Sequence, residues 1–118
     1  MRLTLTWILA FVVAAPICLT AQVITPVAGT STSSGYSGDG GLAAQALLND
    51  PIDIALSGDG LIYIADSGND ALRVIDNEGK ISTITTTLPW VNSIAVDPVG
   101  IGGMPPNTLY IFNDNAQM

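Results

Sequence analysis

The sequence predicts an all-β fold, made of antiparallel four-stranded blades of the β-propeller type behind an N-terminal signal helix. After residue 22 the chain alternates short β-branched runs with turns rich in Gly, Asp and Asn, which is typical of an antiparallel meander. Two stretches also repeat each other at a spacing of 40 to 47 residues. A period of about 40–45 residues with four strands per unit indicates a propeller blade.

Residues 1–21 have the three parts of a secretory signal peptide. Arg2 supplies the positive start, Leu5–Ile17 is almost wholly apolar, and the small residue Ala21 precedes Gln22 at a suitable cleavage point. We therefore expect export, cleavage near Ala21, and a secreted or periplasmic mature chain.

Two other interpretations of this leader stay open. An uncleaved membrane anchor would need ~20 apolar residues, whereas this run is shorter and is broken by Pro16. Lipid attachment at Cys18 would normally need a small residue where this chain has Ile17. Beyond the export signal we expect no contact with membranes.

Residues 22–51 are expected to hold a first strand, Val23–Val27, and then a connection into the next blade. Within that connection Leu42–Leu48 has the pattern of a helix of about two turns. The Gly-rich run before it, residues 37–41, lacks the spacing of a nucleotide-binding loop. We therefore expect a tight connection in which Ser37 or Asp39 caps the short helix.

Residues 52–87 are expected to form one complete blade. Glycines in the turns Ser57–Gly60 and Asp76–Gly79 can adopt the positive φ that tight turns need. The predicted strands are Ile52–Leu56, Leu61–Ala65, Ala71–Ile75 and Ile81–Thr86.

Residues 88–118 are expected to form part of a second blade. Residues 92–96 match 52–56 at a shift of 40, and residues 109–113 match 62–66 at a shift of 47, with a long loop over 99–106 between them. Because a propeller closes with about four to eight blades, we expect neighbouring blades or a longer parent chain to be needed. The residues expected to fill the layers between blades are Ile54, Leu56, Ile62, Ile64, Leu72, Val74, Ile94, Val96, Leu109 and Ile111.

Several of these segments resemble the NHL-repeat family, in particular secreted NHL-repeat proteins of the bacterial type. The motifs that carry the resemblance are Gly-Tyr-Ser-Gly-Asp-Gly-Gly over 35–41 and Tyr-Ile-Ala-Asp-Ser-Gly-Asn over 63–69, followed by residues 72–75. The chain departs from the family where Asp70 replaces the usual His, and where residues 113–115 replace the Asp-Ser-Gly-Asn turn. The resemblance implies an NHL-type propeller that contacts protein or polysaccharide partners.

The composition excludes several functions. The chain has 118 residues, three basic and ten acidic side chains, a net charge of −7, no histidine, and one cysteine, Cys18 in the leader. Binding of nucleic acids needs clustered Lys and Arg, so we expect no nucleic-acid partner. Without histidine or a mature cysteine, a zinc site is not expected.

Four features of the sequence are candidates for chemistry. The run Asp66–Asp70 carries oxygen donors, but lacks EF-hand spacing, so we expect a turn in which Asp66 and Asn69 bond local backbone. Asp53 faces either a central channel or solvent, and no partner can be placed for it. Ser67 has no histidine to activate it, and Trp90 is expected to be a packing residue.

The sequence therefore predicts an exported, non-catalytic binding or scaffold module. We assign no catalytic, cofactor-binding or metal-binding residue and expect no cofactor; the partner is an unidentified protein or polysaccharide. The alternative is a piece of a propeller enzyme, of the lyase or lactonase type found among related propellers, whose catalytic residues lie in other blades.

Overall fold

A computed structural model describes residues 24–113 of the chain. The predicted signal helix over 1–21 lies outside these residues, as do residues 114–118. Within residues 24–113 all regular structure is antiparallel β-sheet apart from three single turns of 3₁₀ helix, so the predicted all-β fold is confirmed. No helix in the described part of the chain is long and apolar enough to cross a membrane.

The first sheet has four strands in the order β1-β2-β3-β4, each antiparallel to its neighbour. The turns that join them rely on glycines at positive φ, Gly60 (φ 92°) and Gly79 (φ 76°), a region that costs glycine little. The strands are β1 (Pro51–Leu56), β2 (Ile62–Asp66), β3 (Ala71–Ile75) and β4 (Ile81–Thr85), which agree with the predicted strands to within one residue at each end.

The second sheet has two antiparallel strands, β5 (Val91–Asp97) and β6 (Thr108–Asn113). Its register repeats that of β1 and β2. Ile94 pairs with Ile111 as Ile54 pairs with Ile64, and a register shift follows the first residue of both β5 and β1. The internal repeat read from the sequence is therefore a repeat of strand pairing as well.

The segment before β1 differs from its prediction. Ile24–Val27 forms no strand, and in place of a helix over Leu42–Leu48 there is a single 3₁₀ turn, Ala43–Gln45. Backbone groups in and before this turn also bond to the first sheet: Gly40 N–H donates to Ile81 O (2.8 Å) and Ala43 N–H to Gly79 O (2.9 Å). A two-turn helix has few internal hydrogen bonds, so these bonds outweigh it.

Two apolar cores lie on opposite faces of the first sheet. One lies between this sheet and the segment 28–48, and the other between the two sheets. The first core consists of Ala43, Ala46, Ile64, Ile75 and Ile81, and the second of Ala65, Leu72, Val91 and Ile94.

The predicted inter-blade residues are only partly buried. Ile64, Leu72 and Ile94 are buried, and Ile62, Val74, Val96 and Leu109 are partly buried. The prediction is wrong for Ile54 and Leu56, each 63% exposed, and for Ile111. The segment 28–48 packs on β2, β3 and β4 through Ile64, Ile75 and Ile81. Within the described residues it does not extend over the face of β1 that carries Ile54 and Leu56.

Gly38 is expected to be irreplaceable for a steric reason. A Cβ added at Gly38 (φ 100°) would lie 2.7 Å from the Cβ of the buried Ala46, whereas a Cβ at Gly40 (φ 81°) would meet nothing within 4 Å. Gly38→Ala should therefore lower the free energy of unfolding by about 2–4 kcal/mol, from strain and overlap together. Gly40→Ala should cost about 1 kcal/mol from strain alone.

Urea denaturation followed by circular dichroism measures both variants. Equal losses for the two alanines would show that backbone strain, and not contact with Ala46, makes glycine necessary at position 38.

Candidate functional site

Arg73, in the middle of β3, is a charged residue with no exposed surface. Its side chain passes beneath the segment 35–47. The guanidinium carbon lies 4.9 Å from the ring centroid of Tyr36, a distance at which a cation is attracted to an aromatic face. A buried cation needs paired charges and hydrogen bonds to remain ionised, and the surrounding residues supply both.

Two carboxylates and two carbonyls surround the guanidinium. Nη2 of Arg73 lies 2.9 Å from Asp39 Oδ1, and Nη1 lies 3.3 Å from Asp66 Oδ2. The same nitrogens donate to the carbonyl oxygens of Ser37 (3.0 Å) and Leu47 (3.4 Å). The expectation that Ser37 or Asp39 caps a helix is wrong: the 3₁₀ turn has no side-chain cap, and Asp39 pairs with Arg73 instead.

Asp66 is fully buried and connects three parts of the chain. Besides Arg73, it accepts hydrogen bonds from the Asn49 N–H (2.7 Å) and from Nδ2 of Asn69 (2.8 Å), which also donates to Gly35 O (2.8 Å). The expectation that Asp66 and Asn69 bond local backbone is wrong for these contacts, whose backbone partners lie 17 and 34 residues away.

A chain of hydroxyl groups closes the network at the surface. The Tyr36 hydroxyl donates to Thr83 Oγ1 (2.9 Å), which donates to Asp39 Oδ1 (3.0 Å). Both carboxylates and both terminal nitrogens of Arg73 therefore have partners within the protein. This arrangement holds the segment 35–49 on the first sheet, and Arg73 and Asp66 are closed to a substrate because both side chains are fully buried.

Asp53 fastens the second sheet to the first. Its carboxylate accepts hydrogen bonds from Ser93 Oγ (2.7 Å), the Ile94 N–H (2.8 Å) and the Ile54 N–H (2.9 Å). The Ile94 N–H is the largest cause and the Ser93 hydroxyl the next, and together they hold the pKa of Asp53 below its ordinary value. The partner that the sequence did not place for Asp53 thus lies 40 residues further along the chain.

Asp97 organises the long loop of the second sheet. Partial burial raises the pKa of its carboxyl, but hydrogen bonds from the Val99, Ile101 and Gly100 N–H groups outweigh this and lower it. Such bonds from successive amides stabilise a tight turn. The carboxylate is therefore committed to the fold of residues 98–103.

The remaining residues singled out in the sequence lie at one end of the sheets, which we call the loop end: the connections 49–50, 67–70 and 86–90. Ser67 begins the 3₁₀ turn Ser67–Asn69. Trp90, expected to pack, is instead 71% exposed with φ 61°. It lines a cleft of about 370 Å³ together with Asp50, Ser67, Gly68, Asp70 and Pro89.

The sequence gives no local sign of the long-range pairings, in which Asp39 lies 34 residues from Arg73 and Asn49 lies 17 residues from Asp66. The one available signal is that Asp39, Asp66, Asn69 and Arg73 all lie in the segments that resemble the NHL-repeat family. Within residues 24–113 no group of three or more His, Cys, Asp or Glu side chains is placed to hold a metal ion.

Removal of the buried cation is expected to lower the free energy of unfolding severely. Arg73→Met would leave the fully buried Asp66 without its counter-charge, and breaking one partner of a buried pair costs about 3–5 kcal/mol. Lys80→Met is the matched control, because the Lys80–Glu78 pair is exposed on both sides and should contribute little.

Urea unfolding of the two variants gives the comparison. A loss for Arg73→Met no greater than that for Lys80→Met would show that the network does not stabilise the fold.

The contribution of Asp53 is expected to depend on pH. Because folding lowers the pKa of this carboxyl, its stabilisation is present above the ordinary pKa and is lost as the pH falls through the folded value. Asp53→Asn should lower the free energy of unfolding by less than about 1 kcal/mol near neutral pH, since solvent screens the half-exposed group. The difference from wild type should begin to shrink below about pH 4, the ordinary pKa, and vanish only below the lower pKa of the folded state.

Urea midpoints between pH 3 and 7 test this expectation, with Glu78→Gln as a control for the loss of one exposed charge. A difference that stays constant across this range would assign the effect to side-chain shape and not to charge.

Comparisons with known proteins agree with this architecture. A family model described as the Teneurin NHL domain matches residues 22–103. Teneurin-m of Drosophila melanogaster is 30% identical over 102 residues, covering 68% of this chain and 3% of that protein. Teneurin-1 of Gallus gallus is 30% identical over 121 aligned positions, covering 80% and 4%. Teneurin-1 of Homo sapiens is 48% identical over 40 residues, covering 34% and 2%.

The chain therefore spans only 2–4% of the length of these relatives. They are animal teneurins and not bacterial secreted proteins. They therefore confirm the resemblance to the NHL-repeat family, but not the expected likeness to its bacterial members. With a family model that covers most of its length and a sheet register that repeats along the chain, this protein belongs to the Teneurin NHL-domain family of NHL-repeat proteins.

Proposed function

We propose that this chain is exported and acts as a non-catalytic binding module, which presents its loop end to a protein or polysaccharide partner. The observation that carries the proposal is the use of its charged side chains: Arg73, Asp66 and Asp53 fix loops and sheets in place. Because these three side chains hydrogen-bond to other parts of the protein, they support a role in binding and not in catalysis.

The loop end has the rigidity that such a role needs. The Gly68 N–H donates to Asn49 O (2.9 Å), Asn49 Nδ2 donates back to Gly68 O (3.0 Å), and the Leu88 N–H donates to Asp70 O (3.1 Å). Loops that are ordered before binding lose less conformational entropy when a partner binds. These bonds therefore support a preformed binding surface.

Charge narrows the range of partners. The net charge of −7 repels phosphate backbones and anionic lipid surfaces, and favours neutral or cationic partners. A nucleic acid is accordingly not part of the proposal.

The exposed face of β1 supports a role for further blades. Ile52, Ile54 and Leu56 are exposed on one face of this strand, while its other face packs on β5 and the second core through Ala55. A propeller blade buries both faces against neighbours. We propose that a neighbouring blade, or a longer parent chain, covers these residues.

Export rests on the leader over residues 1–21. When the chain is expressed with a C-terminal tag in a secreting host, it should appear outside the cell. Its mass should equal that of a chain that begins near Gln22. The secreted chain, presented as a multivalent probe, should bind saturably to one or more members of an array of extracellular proteins and polysaccharides. When lactones or uronic-acid polysaccharides are supplied as substrates, it should release no product from them.

Deletion of residues 2–21 is the control and should leave the chain inside the cell. Retention of the intact chain would contradict export. Turnover of a lactone or a polysaccharide would contradict the non-catalytic role and favour an enzyme of the propeller lyase or lactonase type.

A further inference from the structure

The cleft at the loop end has an exposed aromatic side chain on one wall. Trp90 is 71% exposed and separates this cleft from a smaller hollow of about 140 Å³, lined by Ser67, Trp90, Val91 and Asn92. It also has φ 61°, a region that bulky residues rarely adopt. Neither the exposure of the side chain nor the strained backbone of Trp90 stabilises the fold. Both would be explained if the exposed indole ring contacted a ligand.

The other walls carry two free carboxylates. The described chain contains nine acidic residues, and seven of them have hydrogen-bond or ion-pair partners among residues 24–113, namely Asp39, Asp53, Asp59, Asp66, Asp76, Glu78 and Asp97. The two whose carboxylates have none in this part of the chain are Asp50 and Asp70. Both are exposed, and both line the same cleft as Trp90.

Hydrogen bonds between the loops fix the shape of the cleft. Asn49 and Gly68 are joined by two hydrogen bonds, and a Cβ added at Gly68 would lie 2.6 Å from Asn49 Nδ2. Asp70 is fixed through its carbonyl, which accepts from the Leu88 N–H. Asp50 and Asp70 adopt left-handed φ values of 48° and 50°. The two carboxylates are thus carried on loops that hydrogen bonds join to neighbouring segments.

We propose that this cleft binds a cationic side chain, Lys or Arg, of a protein partner. The cation would stack on the face of Trp90, as cations do on indole rings, and pair with Asp50 and Asp70. The inference rests on the proposed binding function and names the chemistry of the partner. The net charge of −7 would also speed the approach of a basic partner.

A sugar ring is the other ligand that stacks on an exposed tryptophan. It fits this cleft less well, because two carboxylates without donors close to an aromatic face match a cation better than a neutral hydroxyl. The sugar is therefore kept as an outcome of the test.

The indole N–H signal of Trp90 in ¹⁵N-labelled full-length chain is the readout, assigned by its loss in Trp90→Phe. The probe is a capped tetra-arginine peptide, added up to ~10 mM, since an isolated site of this kind should bind in the millimolar range. We expect a saturable shift of the indole signal that weakens as salt is raised.

The decisive variant is the double substitution Asp50→Asn and Asp70→Asn. Asn tolerates left-handed φ as well as Asp does, so the loops should keep their shape, and the methyl signals of Ile64 and Leu72 report whether the fold is intact. Affinity for the peptide should fall about tenfold or more. In Glu78→Gln, which removes one charge in the β3–β4 turn at the opposite end of the sheet, affinity should stay within about twofold.

Three results would overturn the cation cleft: no indole shift with the peptide, equal weakening by Glu78→Gln, or a shift with a neutral cello-oligosaccharide in place of the peptide. Array binding that survives in the double variant would leave the binding function standing and place its site elsewhere. Loss of all array binding in the wild type would instead contradict the binding function itself.

Discussion

The buried guanidinium of Arg73 is the constraint on which the rest of this structure depends. Removal of a cation from water costs several kcal/mol unless charges and hydrogen bonds replace the solvent. Here the replacements come from Asp66 at the end of β2, from Asp39, and from two carbonyls of the segment 35–47. One side chain thereby contacts both ends of the segment 35–47. The fold of the segment follows from this electrostatic need and not from local propensity.

The segment before β1 packs on the first sheet in place of forming a helix. The Ser37 and Leu47 carbonyls lie 3.0 and 3.4 Å from the guanidinium nitrogens. The Gly40 and Ala43 N–H groups donate to Ile81 O and Gly79 O. The close approach of Gly38 to Ala46 and the packing of Ala43 and Ala46 on Ile64 and Ile81 complete the arrangement. Small residues in this segment let its backbone approach the sheet, so the alanines that suggested helix propensity are used for packing.

The strands could be predicted from the sequence, whereas the polar contacts could not. Alternating apolar residues and turns with Gly60 and Gly79 specify β1 to β4 locally, and the repeat carries the same register to β5 and β6. The partners of Arg73 and Asp53 lie 34 and 40 residues away, and a single sequence holds no local signal for such pairs. Local sequence therefore favours a cap at Ser37 or Asp39, a common use of such residues before a helix, and packing for Trp90. Nothing in the sequence indicates the left-handed backbone of Trp90.

The structural network and the proposed cation cleft are parts of one physical unit. Asn49 donates its backbone N–H to the buried Asp66 and its side-chain amide to Gly68 in the wall of the cleft. Asp66 in turn is held by Arg73 and directly precedes the turn Ser67–Asn69. Displacement of Asp66 would therefore also move the cleft wall. The buried charges fix the positions of the exposed ones, so the stability of the network and the geometry available to a partner are set by the same few hydrogen bonds.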